Sequence, residues 1–187
     1  MKYLLLFGWG FCILACQTNL EPQPGSEIKN LVPASVDAQP VEKLLSKMLG
    51  DYLLMKQSLL AASDTSQIRV WAKDMIKCSD SLTQLAASLP PPTLDSTGIM
   101  AMAISDELNG MLVETDKKGI GLSFQLTGLQ LYELLRMMPY KEKKVYLFRS
   151  IAGVEEANWL DIYPSSKNPF LSGTMVKENA IDSLHFR

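Results

Sequence analysis

The sequence has few of the residues that usually build a metal site or a nucleophilic site. Its 187 residues include one histidine and three cysteines, and its 18 Lys and Arg do not outnumber its 20 Asp and Glu. This histidine and cysteine content nearly excludes an ordinary zinc site. Without a basic excess, nucleic-acid binding driven by phosphate neutralisation is not expected. The apolar fraction of 47% is sufficient for one domain with a real core.

The sequence also lacks a recognisable catalytic constellation. The single histidine, His185, stands near the C-terminal end, where chains usually fray, so a Ser-His-Asp relay or a Cys-His pair is not expected. No Gly-rich phosphate loop is present, and no two acids are singled out for glycosidase chemistry. We therefore expect a protein that is not an enzyme and has no cofactor. A pocket with two converging carboxyl groups of raised pKa would reverse that expectation.

Residues 1–16 have the features of a bacterial lipoprotein signal. Lys2 precedes an apolar run over residues 3–15, which is shorter than the roughly 20 residues of a membrane-spanning helix and typical of a secretory signal peptide. Residues 13–16 read Ile-Leu-Ala-Cys, similar to a lipobox. We predict that residues 1–15 are the signal peptide and that Cys16 carries the lipid anchor. A plain signal peptide or a hydrophobic anchor is the alternative.

The residues after the signal favour an outer-membrane location and a tethered domain. Gln17 follows the lipidated position, where Asp often retains lipoproteins in the inner membrane, so we expect the outer membrane, facing the periplasm. Residues 16–40 hold four of the ten prolines and show no sustained period, which indicates a flexible tether. Cys78 is then the free thiol of the mature chain, and its place on an apolar helix stripe indicates a small buried hydrophobe.

The body of the chain, residues 41–187, is predicted to be an all-α, up-down four-helix bundle with a short extended or β C-terminal tail from about residue 141. Apolar residues three and four apart predict helices over residues 41–62, 65–89, 97–117 and 121–138. Short connections favour antiparallel neighbours. We expect Lys117, Lys118 and Gly119 to end the third helix. Residues 145–148 are predicted to form a strand, and the composition of residues 164–169 is typical of a turn.

The tail carries a set of short motifs in a particular order. These are Tyr146 to Ala152, then Asn158-Trp159-Leu160, Asn168-Pro169-Phe170 and Met175. They resemble a family of domains of unknown function from Gram-negative cell envelopes, found fused to periplasmic adaptor subunits of copper and silver efflux pumps or as separate secreted proteins. Residues 52–59 resemble the first helix of that family, and residues 124–132 its last, so the resemblance covers roughly residues 41–184.

The resemblance implies a soft-metal site built by two tail cysteines with help from methionine, and this sequence departs from it there. Arg149 stands at the first Cys position, Ile151 at the following Met, and Glu178 at the second Cys, which leaves only Met175 of the implied ligands. Thiolates give such sites their affinity for Cu(I), so we predict that the metal site is lost. An Arg149–Glu178 ion pair is predicted to replace it.

The other tail motifs are expected to pack the tail onto the bundle whether or not a metal is held. The residues concerned are Trp159, Leu160, Asn168, Pro169 and Phe170. We expect a non-catalytic, lipid-anchored accessory or binding protein of the cell envelope, with an envelope protein as partner and no nucleic acid. The alternative is a Cu(I)- or Ag(I)-binding protein that uses Met ligands; however, the helical Met residues fall on stripes typical of a core.

Overall fold

The computed structural model describes residues 39–61, 65–87, 93–138, 140–152, 155–170 and 177–184. The predicted signal peptide, Cys16, Met175 and His185 lie outside the described residues. Within the described ranges, four helices precede the strands: α1 (Gln39–Leu60), α2 (Thr65–Ala86), α3 (Thr93–Val113) and α4 (Lys117–Met137). The prediction of a mostly helical domain with four helices and a C-terminal tail is confirmed. Two residues that we assigned to the tether, Gln39 and Pro40, begin α1.

Each helix buries the apolar stripe that predicted it. Successive helices pack against each other along the chain, and α4 also contacts α1. The core that results contains apolar residues three and four apart from each helix, among them Val41, Leu45, Met48, Tyr52, Met55, Ile68, Met75, Leu82, Ala101, Ile104, Leu108, Met111, Phe124, Leu131 and Leu135. Leu85 is an exception, because its side chain is 36% exposed near the end of α2.

The tail is more regular than predicted, because its described residues form five strands in two antiparallel sheets. They are β1 (Val145–Ala152), β2 (Glu155–Asp161), β3 (Ser165–Lys167), β4 (Lys177–Asn179) and β5 (Asp182–Leu184). The larger sheet has the order β2-β1-β5, and the smaller one pairs β3 with β4. Residues 164–169, which we predicted to form a turn, therefore include strand β3. Strand β2 packs on α4, which places the larger sheet against the bundle.

The predicted boundary between the third and fourth helices is wrong. Lys117, Lys118 and Gly119 form the first turn of α4, with Asp116 in an extended conformation just before it. The carboxylate of Glu114 accepts hydrogen bonds from the N–H groups of the two residues that follow it, at 2.8 and 3.0 Å, which stops α3. A side chain on Gly119 would collide with Glu114, so this glycine makes room for the folded-back carboxylate.

In the part of the chain that the structure describes, none of the helices is both long enough and apolar enough to cross a bilayer.

Close packing between α1 and α4 requires a glycine at position 128. A Cβ atom built on Gly128 would lie 2.5 Å from the hydroxyl oxygen of Tyr52 and 3.0 Å from its Cζ. The Tyr52 ring is fully buried and stacks on Phe124, with centroids 4.4 Å apart. Its hydroxyl also accepts a hydrogen bond from the N–H of Leu160 in β2, at 3.3 Å. Gly128 thus allows Tyr52 of α1 to contact both α4 and β2.

Gly128→Ala is therefore expected to lower the free energy of unfolding by about 1–3 kcal/mol, because the added methyl group overpacks a site with no free space. Gly50→Ala is the matched control: it lies within α1, and no atom lies within 4 Å of the place that an added Cβ would take. That variant should be more stable by about 0.5–1 kcal/mol, since alanine favours the helix. Urea unfolding measures both. Equal stabilisation by the two changes would contradict the packing described.

Candidate functional site

A buried polar cluster joins the bundle to the C-terminal strands. The Lys56 ammonium, from α1, donates to Oδ2 of Asp161 at the end of β2 and to Oγ of Ser166 in β3. The Ser166 hydroxyl donates to the same carboxylate oxygen at 2.5 Å and accepts from Nε1–H of Trp159 at 3.1 Å. All four residues have less than a tenth of their surface exposed. We call these residues the Lys56 cluster.

Burial and pairing act on the Lys56 cluster in opposite directions. Removal from water disfavours the ammonium and lowers the pKa of Lys56 below its usual 10.5, while the hydrogen bond and charge of Asp161 raise it. The burial effect is the larger of the two. The other carboxylate oxygen, Oδ1, accepts from the backbone N–H groups of Ile162 and Tyr163 at 2.7 and 3.4 Å. Asp161 therefore shapes the turn after β2 as well as pairing with Lys56.

A cleft of about 390 Å³ opens beside the Lys56 cluster, between the last two turns of α1 and the β2–β3 segment. Lys56, Asp161 and Ser166 line it together with Gln57, Ser165 and Lys167. The apolar part of its wall is formed by Leu53, Leu60, Ile162 and Tyr163. The volume is within the range of small-molecule sites, about 300–1,000 Å³. Apolar walls around a few buried polar groups are typical of a binding site.

The tail motifs lie close to this cluster. The Trp159 ring is fully buried and stacks on Phe148 of β1, with centroids 5.4 Å apart. Phe170 lies against Phe124 of α4, with centroids 6.0 Å apart. Leu160, Asn168 and Pro169 are buried, and the side-chain oxygen of Asn168 accepts from the N–H of Phe170 at 2.9 Å. Of the tail-packing positions named from the sequence, Leu160 and Phe170 thus contact the helices, through Tyr52 and Phe124.

The positions that match the metal ligands of the resembled family lie in both sheets. Arg149 is in β1 opposite Asn158, and its guanidinium forms an ion pair with Glu156 of β2 at 2.7 Å. Glu178 is in β4 opposite Ser166, and β4 also approaches β1. The side chains of Ile151 and Glu178 lie outside what the structure describes, as does Met175. The Arg149–Glu178 ion pair therefore stays a prediction.

One of these positions, Arg149, carries a side chain that is unsuited to binding a soft metal ion. A guanidinium stands where a thiolate would have to bind the cation, and it is engaged by a carboxylate of the neighbouring strand. Elsewhere in the described ranges, no group of three or more His, Cys, Asp and Glu side chains is arranged to hold a metal ion. Five of the methionines, Met48, Met55, Met75, Met111 and Met138, are fully or almost fully buried in the core.

The Cys78 thiol lies on the buried stripe of α2, where its side chain is 4% exposed. Burial raises its pKa above the usual 9.0, with smaller and opposing effects from nearby Lys47 and Asp51. A raised pKa keeps the thiol protonated, which makes it a poor nucleophile and a poor metal ligand at neutral pH. Cys78 is thus a buried residue of the core, and its thiol is uncharged.

Sequence reasoning did not single out Lys56, Asp161 or Ser166 as a site. A signal was nevertheless present: Lys56 follows Tyr52 by four positions and adjoins Met55, so it falls on the buried face of α1. A lysine on such a face needs a buried partner. The partner was not identifiable, because Asp161 and Ser166 are 105 and 110 positions away along the chain.

Comparisons with known proteins identified no relative of this chain. No protein-family model, curated protein or solved structure matches the chain. The resemblance of the tail motifs to the efflux-associated family therefore stays a prediction.

Breaking the Lys56 cluster should cost much of the domain's stability. Lys56→Met leaves the Asp161 carboxylate buried without its cation, and we expect a loss of about 3–5 kcal/mol in the free energy of unfolding. Adding Asp161→Asn removes the unpaired charge while an oxygen remains for the turn. The double variant should therefore be more stable than Lys56→Met alone. Urea unfolding of the two single variants and the double variant measures this coupling.

The control is Lys77→Met, which removes a lysine from the exposed Lys77–Asp74 pair of α2, where the lysine side chain is 75% exposed. This change should cost less than about 1 kcal/mol. If Lys56→Met proves no more harmful than Lys77→Met, the cluster does not hold the sheet on the bundle.

Proposed function

We propose that this chain is a non-catalytic, lipid-anchored accessory protein of the bacterial cell envelope, which binds a ligand or partner through its folded domain. The proposed signal peptide and Cys16 would deliver it to the outer membrane, on the periplasmic side. Residues 16–40 would then hold the domain away from the bilayer. The cleft beside the Lys56 cluster supports a binding role, since it is open, mostly apolar in its walls and adjoins buried polar groups.

One observation carries the non-catalytic part of the proposal. A serine beside a buried lysine is the arrangement that an enzyme using a lysine base would need. Here the Ser166 oxygen accepts from both Lys56 and Trp159, and its proton is directed to Asp161 at 2.5 Å, a shorter contact than the 3.4 Å to the carbonyl of Lys167. Both lone pairs and the proton are therefore used, which supports a structural role for this hydroxyl.

We further propose that the domain shares its scaffold with the efflux-associated family but has lost the metal site. The ion pair between Arg149 and Glu156 supports this, because it joins β1 to β2 at the position where that family has its first cysteine. The Lys56 cluster supports it too, since its hydrogen bonds fix β3 against α1 through protein groups alone.

The up-down arrangement of the helices is also a proposal, supported by contacts between neighbours. Arg69, near the start of α2, donates to the carbonyl oxygens of Leu112 and Glu114 at the end of α3, both at 2.6 Å. Further along α2, Asp80 accepts from Ser105, which lies earlier in α3. Thr97, near the start of α3, contacts the sulfur of Met138, just past α4. These contacts are therefore consistent with an antiparallel arrangement of α2 with α3 and of α3 with α4.

The lipid anchor is tested by changing the two N-terminal cysteines separately. In a Gram-negative host, the wild-type chain should incorporate labelled fatty acid and sediment with the outer membrane. Cys16→Ser should abolish both, since the acceptor thiol is gone, whereas Cys12→Ser should change neither because Cys12 lies inside the signal peptide. Lipid labelling that persists in Cys16→Ser would contradict the proposed anchor.

Loss of the metal site is tested by Cu(I) competition under reducing conditions. The mature chain, residues 16–187 with Cys16→Ser to prevent lipidation, should bind Cu(I) no more tightly than a weak chelator, with or without Cys78→Ser. Restoring the family's thiols with Arg149→Cys and Glu178→Cys should create tight, stoichiometric binding, because thiolates prefer Cu(I). Tight binding by the parent chain that survives Cys78→Ser would favour the alternative, a thioether site. No gain in the restored variant would contradict the shared scaffold.

A further inference from the structure

We propose that the cleft beside the Lys56 cluster binds a small organic monocarboxylate with an apolar body, its carboxylate held by Lys56 and Lys167. The argument rests on which polar atoms of the cleft are still free to bind, on the sign of its charge and on the character of its walls. This inference deepens the proposed binding role and rests on it, but it does not depend on the lipid anchor.

Two of the buried polar groups in the cleft have no capacity left for a ligand. The four acceptor positions of Asp161 are taken by Lys56, Ser166 and the N–H groups of Ile162 and Tyr163. The Ser166 hydroxyl is likewise saturated by its three bonds. A cation would therefore find no free carboxylate oxygen here, and a ligand that needs to donate a hydrogen bond is not favoured.

Lys56 is the exception, because an ammonium has three N–H donors. Two of them are directed to Asp161 and Ser166, and the third has no acceptor among the residues that the structure describes. The Lys56 side chain is 6% exposed, and it lines the cleft. This third donor faces no competing protein acceptor, so an acceptor group that enters the cleft can bind it.

The charge of the cleft selects the kind of acceptor. Lys56 and Lys167 are its cationic residues and Asp161 its anionic one, which leaves a single positive charge. A monoanion neutralises that charge, whereas a dianion such as a phosphate monoester would bring excess negative charge close to Asp161. A carboxylate also accepts hydrogen bonds from two sides, which suits one buried lysine and one lysine at the rim.

The walls of the cleft select the rest of the ligand. Leu53, Leu60, Ile162 and Tyr163 form an apolar surface beside the polar floor, and Leu60 and Tyr163 remain 39% and 64% exposed. Covering them with an apolar body removes that surface from water. An aryl or alkyl carboxylic acid combines such a body with the required single charge.

The test uses hydrocinnamate and its neutral isostere, hydrocinnamamide, titrated into the mature chain with Cys16→Ser and followed by NMR of the backbone amides. Hydrocinnamate should bind with a Kd on the order of 1 mM, typical of a fragment-sized ligand. It should shift the amide resonances of Tyr163, Ser165 and Lys167. The amide should bind at least about tenfold more weakly, because it lacks the charge that Lys56 and Lys167 contact.

Matched variants separate the site from general charge or surface effects and leave Lys56 intact, so that the fold is preserved. Lys167→Gln should weaken binding about threefold, whereas Lys143→Gln, which removes an exposed lysine outside the cleft, should not. Leu60→Glu places a carboxylate in the wall and should abolish binding. Its control, Val70→Glu, changes an apolar residue of α2 that is 47% exposed and lies outside the cleft, and it should bind normally.

Three results would overturn the inference: no shift with hydrocinnamate, equal binding of acid and amide, or equal effects of Lys167→Gln and Lys143→Gln. If the chain is lipidated at Cys16 in cells but does not bind hydrocinnamate, only the proposed ligand class is wrong. The lipid-anchored accessory role would then still stand on its own tests.

Discussion

The attachment of the C-terminal strands to the helices depends on one buried charged group, the ammonium of Lys56. A lysine so removed from water is costly unless its charge is paired and its protons are bonded. Asp161 pairs the charge and, together with Ser166, binds two of the three protons, but only when the end of β2 and Ser166 of β3 lie against α1. The cost of burying Lys56 thus penalises arrangements in which the strands cover its ammonium without pairing it. A cluster of this kind specifies one docked position more than it adds net stability.

The aromatic residues extend this attachment along α4. Tyr52 stacks on Phe124, Phe124 contacts Phe170, and Gly128 allows Tyr52 to approach α4 closely enough for its hydroxyl to reach the backbone of Leu160. The polar cluster fixes position through directional bonds, while the aromatic contacts supply apolar burial, which is not directional. The two together explain why a short strand region can be held firmly on a bundle of four helices.

The sequence predicted the parts of this fold that follow from local pattern. The stripes of α1 to α4 and the strand character of Val145 to Phe148 repeat within a few residues, so they are visible without tertiary information. The boundary between α3 and α4 was misplaced because it is set by Glu114, and because Arg69 from α2 binds the carbonyls that end α3. The Lys56 cluster was missed for the same reason: its members meet only after the chain has folded.

The same distinction bears on the tail motifs. Leu160 donates to Tyr52 of α1, and Trp159 donates to Ser166, whose oxygen also binds Lys56 of α1. These tail motifs are therefore connected to the bundle through atoms unrelated to metal binding. Such contacts constrain the sequence whether or not a metal is present. Arg149, at one of the positions that the resemblance assigns to a metal ligand, forms an ion pair with Glu156 instead. The bonds that hold Leu160 and Ser166 against the helices come from Tyr52 and Lys56 of α1. This attachment therefore does not require the residues at the ligand positions that the resemblance implies.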